Sequence, residues 1–337
     1  MKVNRLVAGT LALILIAGLG SPAFANPGTG TLFGTDGNLQ NLITVNTASG
    51  VGNVIGPNTQ GSFPSLAFDH TTNTMFGGTG AGIGALHTVN TITGQASPVG
   101  VSNLGFAAVG GMDVASDGTI FVAVNIAGDG GTGSDHLATV DKNTGQFTVI
   151  GPFGNCVGVP ALPVDGSGSC DNEGMEGIAF GSTGILWGVH STRGAAGAPG
   201  LYTINTNTGA ANFVSPLLDA SQNPASGGFV SLQFACDGTL FGGTARAIGA
   251  ADGGFLATIN PMTGQFTLTP NSATGGSSLG GLAFGLACPP VGGELLPIDS
   301  TALLLAGAQT NAVWILSALA VIGSIAFGAL YITSKKN

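Results

Sequence analysis

The sequence predicts an all-β fold in which one four-stranded unit is repeated five times. Three observations lead to this prediction: a Thr-Leu-Phe-Gly-like strand recurs, a Thr-Val-Asn-like strand follows each copy, and a glycine comes at a fixed offset after that. The chain contains 60 glycines in 337 residues, which without a period would suggest low complexity. Here the glycines fall between short β-rich runs, and such self-similarity is typical of a repeat architecture.

The middle strands of each unit carry the clearest repeat. The second strand recurs as Thr31-Leu-Phe-Gly, Thr74-Met-Phe-Gly, Thr119-Ile-Phe-Val, Ile185-Leu-Trp-Gly and Thr239-Leu-Phe-Gly. The third recurs as Ile43-Thr-Val-Asn, His87-Thr-Val-Asn, Ala138-Thr-Val-Asp, Tyr202-Thr-Ile-Asn and Ala257-Thr-Ile-Asn. The turn that the final Asn or Asp opens contains a glycine, at Gly50, Gly94, Gly145, Gly209 and Gly264. Because an Asx side chain caps its own turn and glycine adopts positive φ, we expect each turn to lead into a fourth strand.

The first strand of each unit indicates how the structure closes. It recurs as Ser65-Leu-Ala-Phe, Gly111-Met-Asp-Val, Gly177-Ile-Ala-Phe, Ser231-Leu-Gln-Phe and Gly281-Leu-Ala-Phe. The repeats begin with a second strand, at Thr31, and end with an unaccompanied first strand, at Gly281. The last strand would therefore complete the first sheet, and such circular closure removes the open edge of a β-propeller. The sequence thus predicts a five-bladed propeller over residues 26–288. A two-sheet sandwich is the alternative, but it gives no reason for the split sheet.

Both ends of the chain predict export and membrane anchoring. Residues 1–25 combine a basic start, an apolar run and an Ala-x-Ala-like site, as a secretory signal peptide does. Residues 311–333 are uncharged and meet the roughly 20 residues that a transmembrane helix needs. Residues 289–310 would be a linker. The tail 334–337 contains two lysines, which favours the cytoplasmic side for it and an extracellular propeller.

The predicted ectodomain is acidic. Only Lys142, Arg193 and Arg246 are basic between the two ends, against fourteen acidic residues from Asp36 to Asp252. Such a field repels nucleic acid and anionic lipid and favours cations. Nucleic acid is therefore excluded as a partner.

Four cysteines lie in the exported part, and an even number in an oxidising compartment favours disulfides. Cys236 and Cys288 each follow a first strand, in the last complete blade and in the closing strand. We expect them to form a disulfide that holds the ring of blades closed. Cys156 and Cys170 would form a second disulfide, within the longest connection, residues 151–175.

The end of that connection is a candidate cation site. It is rich in carboxylates, and calcium takes several oxygen ligands from flexible loops. The candidate ligands are Glu176, Asp113, Asp171 and Glu173. The spacing is not that of an EF-hand, and a solvated, disulfide-stapled loop is the alternative.

Two further groups of polar residues are candidates for chemistry. Asp113 and Gln233 replace a small residue on first strands, so each would either face the central channel or hydrogen-bond a neighbouring blade, which is commoner for buried polar groups. His136 and His190 are predicted on elaborated loops, where a transition-metal site or scattered surface histidines are the alternatives.

The repeats over Thr31 to Cys288 resemble secreted propeller repeats of the YVTN and related surface-layer type. The tail from Leu295 to Trp314 resembles the C-terminal anchor of ammonia-oxidising archaeal surface proteins, which implies a location at the cell surface. The run Glu176-Gly-Ile-Ala is similar to the Glu-Gly segment of gluconolactonase and regucalcin-like propellers. That similarity implies a divalent metal bound by Glu176 at the axial mouth.

These patterns predict a function of binding or scaffolding. Neither a Walker loop nor a His-Glu-x-x-His motif is present, and the elaborated connections all leave one face of the predicted propeller. The leading hypothesis is a membrane-anchored extracellular module whose partner is an envelope protein or polysaccharide, with no catalytic residue assigned. The alternatives are a metal-dependent hydrolase or lactonase near Glu176 and a structural surface-layer component.

Overall fold

The structure is a computed structural model. It describes residues 28–37, 40–61, 63–80, 84–105, 107–126, 136–154, 175–190, 200–225, 228–245 and 253–288. Every regular element in these ranges is a β-strand, and none of them contains a helix able to cross a membrane. The predicted signal peptide, linker, transmembrane helix and tail lie outside the described residues.

Twenty strands form five four-stranded antiparallel sheets, which are described below from the inner to the outer strand. Blade 1 consists of β4 (Ser65–Asp69), β5 (Thr74–Gly78), β6 (Ala85–Val89) and β7 (Ala96–Val101). Blade 2 consists of β8 (Ala108–Val114), β9 (Ile120–Asn125), β10 (His136–Val140) and β11 (Phe147–Pro152). Blade 3 consists of β12 (Met175–Phe180), β13 (Leu186–His190), β14 (Gly200–Ile204) and β15 (Ala211–Pro216). Blade 4 consists of β16 (Phe229–Phe234), β17 (Leu240–Thr244), β18 (Phe255–Ile259) and β19 (Phe266–Ser272). The closing blade consists of β20 (Leu279–Ala287), β1 (Gly28–Asp36), β2 (Asn41–Val45) and β3 (Gly52–Pro57).

The predicted circular closure is confirmed. The last strand, β20, pairs with the first, β1, so that Leu32 lies opposite Phe284 and Phe33 opposite Ala283. The completed sheet also bonds to blade 1, because Gly281 N donates to Pro64 O at 2.6 Å. The five separate sheets show that the sandwich alternative is wrong.

The order of strands gives the propeller two unlike faces. The short-turn face carries the turns between first and second strands and between third and fourth strands. The loop face carries the connections between second and third strands and between one blade and the next. Since β20 runs towards the short-turn face, the described chain ends there, at Cys288.

The turns between third and fourth strands contain the side-chain hydrogen bonds and the positive-φ glycine that the sequence predicts. In blade 1, the side-chain Oδ1 of Asn90 accepts hydrogen bonds from Ile92 N (2.9 Å) and Thr93 N (3.0 Å). The turn ends at Gly94, whose φ is 77°. A Cβ on Gly94 would also overlap the backbone of Gly56 in the closing blade. Glycine is therefore needed there for its conformation and for the packing of the turn on the neighbouring blade.

The inner strands meet through small residues at one register, namely Ser65, Gly111, Gly177, Ser231 and Gly281. A Cβ on Gly177 would lie 2.7 Å from the carbonyl carbon of Ser231 and 2.8 Å from Val189 Cγ2. The cavity enclosed at this level has a volume of about 10 Å³. Such a volume holds about one water molecule, so the axis of the propeller is closed here.

A buried ion pair connects blades 1 and 2. Asp69, at the end of β4, has a fully buried side chain whose Oδ2 accepts a hydrogen bond from Lys142 Nζ at 2.8 Å. The same carboxylate accepts bonds from Thr71 N (2.8 Å) and Thr72 Oγ1 (2.9 Å). Burial alone would raise the pKa of Asp69, but these hydrogen bonds outweigh it and lower the pKa to about 2.

The predicted disulfide between Cys236 and Cys288 is present, with the two Cα atoms 5.3 Å apart. It joins the short turn of blade 4 to the end of the closing strand, and its chain separation is 52 residues. A disulfide typically stabilises a fold by about 2–4 kcal/mol. Cys156 and Cys170 lie outside the described residues.

Candidate functional site

Glu176 lies at the loop-face end of β12, next to the propeller axis. Its side chain is buried, with 2% of the residue exposed. Met175 pairs with His190 and Gly177 pairs with Val189, so Glu176 is the extra residue of a β-bulge. Bulges re-aim side chains and are frequent beside functional sites.

The bulge recurs in neighbouring blades, but the carboxylate does not. Gly110 is the extra residue in blade 2, and Val230 is the extra residue in blade 4. The corresponding positions of blade 1 and of the closing strand are Pro64 and Gly280. Among the described inner strands, Glu176 therefore supplies the one ligating side chain at this level.

Asp113 bridges two blades instead of facing the loop side. Its Oδ2 accepts a hydrogen bond from Phe180 N at 2.7 Å, and its Oδ1 accepts one from Val114 N at 2.8 Å. Burial raises the pKa of Asp113 to about 7, and the two backbone hydrogen bonds oppose that rise. Of the two alternatives for this residue, bonding to a neighbouring blade is the one that the structure shows.

The structure separates Asp113 from Glu176. The carboxylate of Asp113 is bound at Phe180, four residues further along β12 than Glu176. Four strand residues span about 13 Å, whereas one calcium ion binds its oxygens at about 2.3–2.6 Å. A single cation at Glu176 would therefore need ligands other than Asp113.

The remaining candidates contribute little to a site in the described part of the chain. Asp171 and Glu173 lie outside the described residues. Gln233 is buried, and its Nε2 donates to Phe234 O within its own blade, at 3.4 Å. The described ranges contain no group of three or more His, Cys, Asp or Glu side chains that could hold a metal ion.

The loop placement predicted for two histidines is wrong. His136 is the first residue of β10, and His190 is the last residue of β13. Each histidine is the terminal residue of its strand, and the end of a strand is the part that a sequence pattern locates least well. Asp135, which directly precedes His136 in the chain, lies outside the described residues.

A Gly-x-Ser-x-Gly run is present at the start of the closing strand, at Gly276-Ser-Ser-Leu-Gly280. In α/β-hydrolases this motif places its serine on a turn from a strand into a helix. Here Ser278 precedes an inner strand, β20, and no helix follows in the described chain. Ser277 donates a hydrogen bond to Asp36, which indicates that the segment ties β20 to β1. The motif thus lacks the structural context of a nucleophile.

No family model matches the chain, and no curated protein matches it. Solved structures with a similar fold include a nidogen/laminin complex, 13% identical, covering 72% of this chain and 79% of that one, with a TM-score of 0.44. A luciferin-regenerating enzyme is 11% identical, with 74% and 78% coverage and a TM-score of 0.39. A calcium-binding protein, regucalcin from Agrobacterium tumefaciens, is 14% identical, with 79% coverage of both chains and a TM-score of 0.38. Because these identities and TM-scores are low, the fold is assigned from the strand topology of this chain, which is that of a five-bladed β-propeller.

Proposed function

We propose that this protein is a membrane-anchored extracellular propeller that acts as a binding or scaffolding module at the cell surface. Its partner is an envelope protein or a polysaccharide. The supporting observation is the closed axis: at the level of Gly177 and Ser231 the cavity between the inner strands is only about 10 Å³, so the propeller has no channel through its centre for a molecule larger than water. Contact with a partner then takes place on the faces of the propeller.

The loop face is the face that we propose for the partner. The connections from β9 to β10, from β11 to β12, from β13 to β14 and from β17 to β18 all begin and end there. Loops on a rigid scaffold are common binding elements. The connection from the closing blade to blade 1 also lies on this face, and Asn58 holds it in place. The backbone N of Asn58 donates to Gln40 O and its side chain donates to Gly61 O, both at 2.7 Å.

Blocking one face at a time tests this proposal. Thr59→Cys places a thiol on the loop face, and Asn207→Cys places one on a short turn; both positions are exposed. After coupling to a maleimide-polyethylene glycol, we expect the Thr59→Cys chain to lose retention on the isolated cell envelope. The Asn207→Cys chain should be retained like the identically treated wild type.

Loss of retention in both variants, or in neither, would contradict the assignment of the loop face. Self-association of the purified full chain without any envelope material would favour the surface-layer alternative instead. The membrane location is tested separately, by detergent-dependent release of the chain from membranes.

A second candidate function is that of a metal-dependent hydrolase or lactonase at the axial mouth. It is supported by the position of Glu176, a buried carboxylate on a bulge at the end of an inner strand. Calcium is the proposed ion, since a hard cation prefers carboxylate oxygens. Asp171 and Glu173 are the proposed additional ligands.

Metal analysis of the purified full chain tests the second function. We expect about one divalent ion per chain in the wild type and its loss in Glu176→Gln, because the amide cannot replace the charge of the carboxylate. Asp113→Asn is the matched control and should keep the ion, since Asp113 bonds to Phe180 N. A wild type without stoichiometric divalent metal would rule this function out.

A further inference from the structure

A cleft opens on the short-turn face, between the closing blade and blade 1. Its volume is about 580 Å³, within the range of about 300–1,000 Å³ that is usual for small-molecule sites. The buried floor is apolar and is formed by Phe33, Phe68, Met75 and Val89. Two exposed side chains lie at its edges, Leu286 on β20 and Ile92 on the outer turn of blade 1.

The cleft exists because the closing blade is built differently from the other four. In blades 1 to 4 the inner strand turns directly into the second strand. The corresponding strands of the closing blade, β20 and β1, come from opposite ends of the described chain, so neither has to turn. They continue to pair as far as Leu286 with Thr29 and Ala287 with Gly28. We name this extension, residues 28–31 with 285–287, the overhang.

The overhang forms one wall of the cleft. β20 has 9 residues, compared with 5 to 7 in the inner strands of the other blades. About three additional residues extend a strand by about 10 Å. On the side of blade 1, this extension faces the turn from Asn90 to Gly94, and the space between them is the cleft.

The opposite side of the overhang is fixed to blade 4. The disulfide between Cys236 and Cys288 joins the two, and Cys236 N also donates to Gly28 O at 3.0 Å. That hydrogen bond is part of a parallel bridge between Gly28 and Ala235. The wall is therefore held in place without a ligand, and a preformed cleft binds with a smaller loss of entropy.

The lining defines the class of ligand. Among the described residues that line the cleft, none carries an ionisable side chain. Its polar groups are the hydroxyls of Thr31, Thr74 and Thr91 and the amides of Asn73 and Asn90. A charged ligand would lose its hydration there without gaining a counter-charge. An uncharged molecule with an apolar body and a hydroxyl or amide group would match both the floor and the edge.

We propose that the cleft between the overhang and blade 1 is a binding site for a small uncharged molecule with an apolar body and a hydrogen-bonding group. The Cys236–Cys288 disulfide holds its wall. This site is separate from the partner surface proposed for the loop face, and it can exist whether or not that surface is correct.

Protection of a single thiol tests the site in the full chain. Ile92 is 84% exposed and lines the cleft, whereas Met262 occupies the equivalent turn of blade 4, is 81% exposed and does not line it. Ile92→Cys and Met262→Cys are therefore a matched pair. The probes are indole, cyclohexanol and benzamide, with benzoate and benzylamine as charged counterparts, and the measurement is the rate of maleimide labelling.

We expect at least one neutral probe to slow the labelling of Ile92→Cys, by about tenfold at ten times its Kd, and to leave Met262→Cys unchanged. Benzoate and benzylamine should protect neither thiol. Adding Leu286→Lys to Ile92→Cys should abolish the protection, because it places a charge on the wall. The double change Cys236→Ala and Cys288→Ala should weaken the protection by releasing the overhang.

Three results would overturn the proposal. The first is no protection by any neutral probe, and the second is equal protection of both thiols. The third is slower labelling of Ile92→Cys at higher protein concentration without any probe, which would show that a second copy of the chain covers the cleft.

Discussion

Gly177→Ala is expected to lower the free energy of unfolding of the propeller by about 3 kcal/mol, at the upper end of the usual cost of overpacking. The new Cβ would lie 2.7 Å from the carbonyl carbon of Ser231 and 2.8 Å from Val189 Cγ2. One of these atoms belongs to the backbone of the adjacent inner strand, which cannot move without displacing blade 4. With about 2–4 °C per kcal/mol for a chain of this size, Tm should fall by about 6–12 °C.

Gly181→Ala is the matched control, four residues further along the same chain segment. Its Cβ would have Trp187 Nε1 at 3.3 Å and the ring of Phe234 at 3.6 Å as its nearest neighbours. Both neighbours are side chains that need to shift by at most a few tenths of an ångström, so the free energy of unfolding should fall by about 1 kcal/mol or less. Thermal unfolding followed by circular dichroism compares the two, and similar Tm values for both variants would show that the axis is not closed by glycine packing.

The architecture could be predicted from the sequence because each part of it is encoded locally. A strand such as Thr31-Leu-Phe-Gly and a turn such as Asn90 to Gly94 each need only a few adjacent residues, and they recur five times. The closure followed from order alone, since the repeats begin at Thr31 with a second strand. The pairing of Cys236 with Cys288 then followed from the positions of both residues after first strands.

Contacts that break the repeat were not predictable in the same way. Asp69 stands where blades 2, 3 and 4 have Ala115, Gly181 and Ala235, and its partner Lys142 is 73 residues away. Asp69 lies outside the repeated motifs and Lys142 is a variable position of a repeated turn, so no sequence pattern indicates that they pair. The bulge at Glu176 is likewise a property of register, and register depends on how the strands pack.

The cleft is a third case. The split closing sheet that causes it could be predicted from the sequence, but the cleft itself could not. A split sheet was predicted, yet the outcome depends on how far β20 and β1 continue to pair beyond the other blades. That length is set by pairing between distant residues, such as Gly28 with Ala287, and no local sequence signal indicates it. The departure of the closing blade from the repeat thus coincides with the cleft on the short-turn face.

Lys142→Met is expected to destabilise the propeller by about 2 kcal/mol at pH 7. Removing one partner of a buried ion pair costs about 3–5 kcal/mol. The value should be smaller here, because the side chain of Lys142 is 31% exposed and Thr71 and Thr72 still donate to Asp69. Methionine retains the apolar stem of lysine, so the loss reports mainly on the charge. Urea unfolding of both chains measures the difference.

The pH dependence distinguishes this ion pair from a general packing effect. The pKa of Asp69 is about 2 in the fold and 3.8 as the reference value, so its carboxylate stabilises the fold above pH 3.8. That contribution is lost as the pH falls through 2, when the carboxylate becomes protonated. Without Lys142 the pKa rises and the loss begins at higher pH. The difference between wild type and Lys142→Met should therefore be constant above about pH 5 and decrease to a small part of that value by pH 2.

A double-mutant cycle with Asp69→Asn completes the test. If Asp69 and Lys142 act as a pair, the combined variant should be less destabilised than the sum of the single variants, with a coupling of about 1–2 kcal/mol at pH 7. The coupling should be much smaller near pH 2, because about half of the Asp69 carboxylate is then protonated in the wild type and more of it is protonated without Lys142. Additive effects at pH 7, or a difference that persists unchanged at pH 2, would mean that Lys142 stabilises the junction of blades 1 and 2 through its stem and not through its charge.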